Sequence, residues 1–131
     1  MLRSERAAPS ALRHAGGWAE SALLSIASAA ASDAAAAAAA ARLLGGLKRA
    51  DAERGSDLAA TLQTYYRNGG NVAKTAQALF LHRNSVRYRL DRVRCLLRCD
   101  IDHPLCAAAI VAAFAIVELS QRQGRSAAQR T

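Results

Sequence analysis

An all-α fold, a small helical bundle containing a helix-turn-helix and preceded by an alanine-rich helix, follows from three observations. Leu58, Leu62 and Tyr65 recur at i, i+4 and i+7, which lays one apolar stripe along a helix. Ala34 to Ala41 is an unbroken run of the strongest helix former. Helix starts and stops punctuate the second half: Asn71 and Asn84 as caps, Asn68-Gly69-Gly70 as a stop, and Pro104 at a first helical position.

The 131 residues suit one domain with an appended arm. Hydrophobic residues make up 52% of the chain but aromatics only 5%, so alanine supplies much of the apolar content. Burial yields roughly 25 cal/mol per Å² of apolar surface, and alanine brings little area. The expected core is therefore thin.

In chain order, residues 1–17 mix Arg, Ser, Pro9 and Gly16-Gly17 without periodicity and are expected to be a disordered arm. Glu5 and the two glycines interrupt what would otherwise read as a transit peptide. Residues 18–55 are expected to form an alanine-rich helix from Trp18 to Leu44, ended by Gly45-Gly46, and a charged connector, Leu47 to Gly55. Residues 56–121 hold the helix-turn-helix domain. Ser56 or Asp57 caps a helix from Leu58 to Arg67, and Asn71 caps one from Val72 to Phe80, with Val72, Ala76, Leu79 and Phe80 inward. Leu81 to Arg83 form a turn, and Asn84 caps a third helix, Ser85 to Leu97. Val86, Leu90, Val93 and Leu97 lie within about 60° of one another on its wheel. Ser85, Tyr88, Asp91 and Arg92 point the other way, with Arg87 and Arg89 on the flanks. Asp102 or His103 caps a last helix, Leu105 to Gln121, apolar nearly all round, as a core helix or an interface would be. A disordered tail is expected over 122–131.

Arg67 to Arg98 contains eight Lys or Arg and one acid, Asp91, which is +7 of the chain's net +8. A basic helix held at a fixed angle by a small apolar partner is what reading a DNA groove requires. Ala73, Ala76 and Ala78 permit close helix approach, while Leu79, Leu81 and Val86 fill the joint. With Val72, Ala76, Leu90 and Val93 these form the expected hairpin core. Helix N-termini at Asn71 and Asn84 attract phosphate, and arginines early in the third helix suit bidentate contact with guanine.

The segment GGNVAKTAQALFLHRNSVRYRLDRV resembles the C-terminal helix-turn-helix of the PucR-type family, bacterial regulators of purine catabolism and sugar-diacid use. LLGGLKRADAERGSDLAATLQTYYRNGG before it is similar to that family's approach to the domain, so the likeness spans Arg42 to Leu119, about three-fifths of the chain. The hairpin is more distantly similar to that of the factor for inversion stimulation. The resemblance implies a sequence-specific DNA-binding transcription regulator whose third helix reads the major groove. It places His82, Arg83 and Arg87 at base edges, and Asn71, Ala73 (by its backbone), Lys74, Ser85 and Tyr88 near phosphates. Wheel position alone adds Arg89 and Arg92 to the phosphate set. The family carries a large sensory region upstream, whereas about 40 alanine-rich residues precede the matching part. Residues 18–55 are therefore read as a possible remnant of an upstream domain, and the resemblance does not carry effector sensing over to them. Arg98 stands where the family commonly has a helix-ending glycine, so the third helix is expected to run on or end differently.

The expected partners are double-stranded DNA and a second regulator, as a homo-oligomer or a hetero-oligomer with related chains. The competing reading is a truncated regulator acting as an interaction protein that pairs with full-length relatives. Single-stranded nucleic acid is disfavoured because Tyr88 is the only ring expected on the basic face. No membrane partner is expected: Leu105 to Val117 is shorter than the ~20 residues of a span, and Ser21, Ser25, Ser28, Ser32 and Asp33 interrupt the alanine-rich stretch. Cys95, Cys99 and Cys106 are an odd set that suits a reducing bacterial cytoplasm. Cys95, Cys99, His103 and Cys106 lack the paired spacing of a zinc site, so no metal and no cofactor is expected. No nucleophile, base and orienting acid are set together, so no enzyme is expected either.

Overall fold

A computed structural model describes residues 17–129. The arm expected over 1–17, apart from Gly17, and residues 130–131 lie outside it. Six helices make up the described residues: α1 (Gly17–Ala31), α2 (Ala34–Arg54), α3 (Leu58–Arg67), α4 (Val72–Leu79), α5 (Arg83–Leu97) and α6 (Pro104–Gln129). The all-α expectation holds.

The alanine-rich region is two helices rather than one. The chain bends by 107° at Ser32-Asp33, where Asp33 adopts an extended backbone and its carboxylate accepts from the Ala36 N–H at 2.9 Å. A short acid ahead of eight alanines is a helix start. Gly45-Gly46, expected to end this helix, lies inside it. Ala40, Leu44 and Leu47 form the buried stripe of α2. Two fully buried leucines contribute about 1.5–3 kcal/mol each, more than the ~1 kcal/mol each glycine costs in a helix. The residues read as a charged connector therefore continue α2 to Arg54, and Gly55 closes it in the left-handed region.

α3 spans Leu58–Arg67 as expected, but neither Ser56 nor Asp57 caps it with a side chain. Asp51, in the last turn of α2, accepts from the Leu58 N–H at 2.7 Å, the Ala59 N–H at 3.0 Å and the Ser56 hydroxyl at 2.8 Å. One carboxylate thus satisfies two orphan donors of the next helix and fixes the α2–α3 corner.

One core joins α2 to the hairpin helices: Leu44, Leu47, Leu58, Leu62, Tyr65, Val86, Leu90, Val93, Ile101, Ile110 and Phe114 belong to it. A smaller cluster packs Ala27 of α1 on Ala115 of α6, with Leu23, Leu24 and Leu119 around it. α6 starts as expected, with Pro104 first and His103 Nδ1 accepting from the Leu105 N–H at 3.2 Å. It then runs through Arg122 to Gln129, so residues 122–129 of the expected disordered tail are helical. At 26 residues, with mean hydropathy 1.8 over its most apolar window, α6 is long and apolar enough to cross a bilayer, contrary to the shorter run read from sequence. In the fold, its Ile110, Ala113, Phe114 and Ala115 are buried against neighbouring helices.

Candidate nucleic-acid interface

α3 ends where expected. The Gly70 N–H donates to the Tyr65 carbonyl at 2.9 Å, and φ of +63° and +75° at Gly69 and Gly70 turns the chain toward α4. At Gly70 the Tyr65 hydroxyl lies 3.5 Å from where a Cβ would stand, so the turn and the ring are packed together. Asn71 caps α4, its Oδ1 accepting from the Lys74 N–H at 2.9 Å. The Val72 and Ala73 N–H groups, in the first turn, have no helical acceptor and are free for an anion. Thr75, fully buried, donates its hydroxyl back to the Asn71 carbonyl at 2.7 Å.

α4 closes at Leu79 with Phe80 in the left-handed region (φ 55°, ψ 42°). The Leu81 N–H donates to the Ala76 carbonyl at 2.9 Å and the Phe80 N–H to Gln77 at 3.3 Å, the paired bonds of a Schellman end. Phe80, expected inward, is 96% exposed. The left-handed kink that reverses the chain swings its side chain away from the core. α5 then begins at Arg83, two residues earlier than expected. Its cap is His82, not Asn84: His82 Nδ1 accepts from the Asn84 N–H at 3.1 Å. With Nδ1 accepting, the imidazole proton belongs on Nε2, which remains available to donate.

The apolar side of α5 lies where the periodicity put it. Val86, Leu90 and Val93 are fully buried, and Leu97 is partly buried. Of the expected hairpin core, Ala76 is also buried, Val72 and Leu81 pack on the core from its margin, and Leu79 is half-buried. The opposite side exposes His82, Arg83, Asn84, Ser85, Arg87 and Tyr88. His82, Arg83, Asn84 and Arg87 share one concavity of about 730 Å³ with Ala73, Ala76, Gln77, Phe80 and Leu81. Arg87 Nη1 donates to Asn84 Oδ1 at 3.3 Å, which holds that guanidinium on the concave face. Asn71 and Lys74 are exposed at the start of α4, and Ala73 is half-buried.

The remaining cations are tied to the fold to different degrees. Arg89 Nη1 donates to Thr61 Oγ1 of α3 at 3.2 Å and is half-buried. Arg92 is also half-buried, beside Arg54, Tyr88, Asp91 and Cys95. Arg67 donates to Thr64 Oγ1 at 3.1 Å, and its Nε is buried without a partner. Arg94 is clamped between Asp91 at 2.9 Å and Asp102 at 3.2 Å. Burial lowers the Arg94 pKa, but hydrogen bonds and charge from Asp102 and Asp91 outweigh it and raise the pKa on balance.

Of the two expected caps His103 serves, and Asp102 accepts from the Tyr65 hydroxyl, while Tyr66 donates to the Ile101 carbonyl at 2.9 Å. Two tyrosines of α3 therefore tie down the loop between α5 and α6, with Ile101 fully buried beneath it. Burial first, then the Asp102 hydrogen bond, push the Tyr65 phenol up to about 12. Burial also raises Tyr66. Arg98 takes the left-handed conformation (φ 53°) that a helix-ending glycine would, so α5 does stop at Leu97. Cys95 is exposed. Cys99 and Cys106 are half-buried side by side, and burial raises the Cys99 thiol.

Sequence reasoning missed Asp51 as the cap of α3, His82 as the cap of α5, the Tyr65–Asp102–Arg94 tie and the exposure of Phe80. His82 carried a signal, since its acceptor stands directly ahead of a helix start, whereas Asp51 lies seven residues before the helix it caps. The tie links residues 37 positions apart, which no local pattern reveals. Tyr88, expected to be the only ring on the basic face, is accompanied there by Phe80.

Residues 58–116 match the PucR C-terminal helix-turn-helix domain, from the first residue of α3 into α6. This is narrower than the Arg42–Leu119 span of the resemblance. "Leucine-rich protein" of Streptococcus dysgalactiae subsp. equisimilis is 43% identical over 37 residues, 28% of this chain and 13% of that protein. "Uncharacterized protein YxkF" of Bacillus subtilis (strain 168) is 39% identical over 59 residues, 45% of this chain and 19% of that protein. The chain thus spans less than a fifth of the length of these curated relatives. No solved structure matches significantly. With its capped hairpin, buried stripe and family match, the segment 58–116 is a PucR-type C-terminal helix-turn-helix domain, of a family of DNA-binding regulators that are typically non-enzymatic.

Proposed function

We propose that this protein is a sequence-specific DNA-binding transcription regulator in which α5 enters the major groove. One observation carries the reading: Arg83 and Arg87 stand exposed at the start of a helix whose opposite face is fully buried. Rigid placement lets a guanidinium discriminate base edges, because a misplaced donor pair loses bidentate contact. Arg83, Arg87 and the Nε2–H of His82 are assigned to bases. The free N–H groups at Val72 and Ala73, with Asn71, Lys74, Ser85, Tyr88 and Arg92, are assigned to phosphates, which set the register. Arg89 belongs to the phosphate set only by giving up its bond to Thr61.

One hairpin covers a half-site, so a dimer on DNA follows. Trp18, Ile26 and Leu105 leave large apolar side chains exposed on α1 and α6, which makes these helices the candidate subunit surface. The same exposed residues favour a second reading, an interaction protein that pairs with related regulators. A cytoplasmic, nucleoid-associated location goes with DNA binding, and no catalytic role or cofactor is assigned.

Selection of bound duplexes from a random library tests the reading. Arg83→Ala should cost about 1–3 kcal/mol on the selected site and relax choice at one base pair, whereas Arg92→Ala should weaken all sequences alike and lower the salt slope by about 1. Equal losses on selected and random duplex for both variants would refute these roles. Sedimentation with and without duplex separates the two readings. A monomer that ignores DNA yet binds a longer relative supports the second.

A further inference from the structure

We infer that Phe80 is a specificity-determining residue of this surface, its ring taking the 5-methyl group of a thymine at the edge of the site read by Arg83 and Arg87. The inference rests on the DNA reading above. Phe80 combines two unfavourable features. Its backbone sits at φ 55° and ψ 42°, a region that bulky side chains rarely adopt and that glycine occupies freely. Its ring is also 96% exposed, although phenylalanine is among the residues that gain most from burial. Glycine at this position would relieve both. A side chain retained against both preferences gains its stabilisation from something outside the fold.

Location says what that something is. Phe80 lines the same concavity as Gln77, Arg83, Asn84 and Arg87. A duplex seated on those guanidinium groups would bring base edges to the ring. In the major groove the one apolar group on a base edge is the thymine methyl, and phenylalanine is among the side chains that meet it. Guanidinium groups beside an apolar ring would then read guanine and thymine at neighbouring positions.

The test uses the full chain and a duplex selected from a random library. Its thymines are replaced by deoxyuridine, all together and then singly, which removes the methyl and leaves base pairing intact. The wild-type chain should lose about fourfold in affinity, the worth of one buried methyl-sized group, and the loss should map to one or two thymines per half-site. Phe80→Ala should bind the thymine duplex more weakly and show almost no further loss on deoxyuridine. Phe80→Gly should behave likewise while melting no lower than wild type, which separates lost contact from lost fold. An equal deoxyuridine penalty in wild type and both variants overturns the inference and leaves the DNA reading standing. So does a change of oligomeric state in the variants with the thymine penalty intact, which would place the ring against protein. A wild-type chain that enriches no duplex overturns the DNA reading and this inference together.

Discussion

At its start α5 leaves the Arg83 and Arg87 guanidinium groups exposed; near its end Arg94 is clamped between Asp91 and Asp102, and Asp102 is held in turn by the Tyr65 hydroxyl. All three residues count equally in the net charge. The difference lies in whether a carboxylate is within reach. At the start of the helix Arg87 donates to the neutral Asn84 amide, which orients it without cancelling its charge. At the end, two carboxylates neutralise the arginine and convert it into a brace for the loop. A charge total along the sequence therefore overstates the potential offered to a duplex, because the Arg94 charge is cancelled within the fold.

The sharpest way to break this comparison is to exchange the losses. Arg83→Ala should cost about 1–3 kcal/mol of affinity for the selected duplex and change stability by less than about 0.5 kcal/mol. Arg94→Ala should do the reverse. It removes two partly exposed ion pairs, worth together about 1–2 kcal/mol of stability, and the folded protein should bind DNA nearly as before. Urea unfolding and duplex titration on the same samples give both numbers. If Arg94→Ala lost affinity as Arg83→Ala does, with stability unchanged, the division between the two ends would be wrong.

The locked end has a pH signature of its own. Tyr65 titrates near 10 when unfolded and near 12 when folded, because burial and the Asp102 carboxylate both disfavour the phenolate. Folding therefore favours the protonated phenol. Its contribution is fully present below pH 10 and is lost as pH rises toward 12, roughly 2–3 kcal/mol in all. Tyr66 shifts in the same direction. Urea midpoints should accordingly fall between pH 10 and 12. Tyr65→Phe should lower stability at neutral pH by about 1 kcal/mol through the lost hydrogen bond and make the alkaline fall shallower, leaving the share due to Tyr66. A wild-type midpoint that stays level across that window would mean the phenol is not held as described.

How much of this was legible differs between the same regions. The hairpin is specified locally: Asn71 as a cap, the glycine pair before it and the i, i+4, i+7 stripe of α5 all lie within a few residues of what they determine. The helix boundaries there were read nearly correctly. The N-terminal half is specified by distant contacts. Leu44 and Leu47 hold α2 helical across Gly45-Gly46 because they reach a core built largely from α3, α5 and α6. Asp51 caps a helix that starts seven residues later. Gly45 and Gly46 then carry a smaller prediction. A Cβ at either position would meet nothing within 4 Å, so Gly45→Ala and Gly46→Ala should each raise stability by about 0.5–1 kcal/mol. Helix breakage by the pair, seen as no gain in thermal midpoint or helicity, would contradict a continuous α2.

The smallest effect gives the finest comparison, because the two hairpin helices end alike. α4 closes on Phe80 and α5 on Arg98, the two non-glycine residues with positive φ among the described residues. Glycine relieves the left-handed strain at each, and part of that gain is returned as extra freedom of the unfolded chain. The net should be a stabilisation of about 0.5 kcal/mol for Phe80→Gly and for Arg98→Gly alike. Their effects on DNA should differ. Arg98 lies at the braced end of α5, so its replacement should cost little beyond a charge screened by salt, whereas Phe80 faces the concavity with Arg83 and Arg87. Equal thermal gains with a selective loss of thymine-dependent binding in Phe80→Gly would show that one strained helix end is kept for contact and the other is merely tolerated. Equal gains with equal binding would make both of them tolerated.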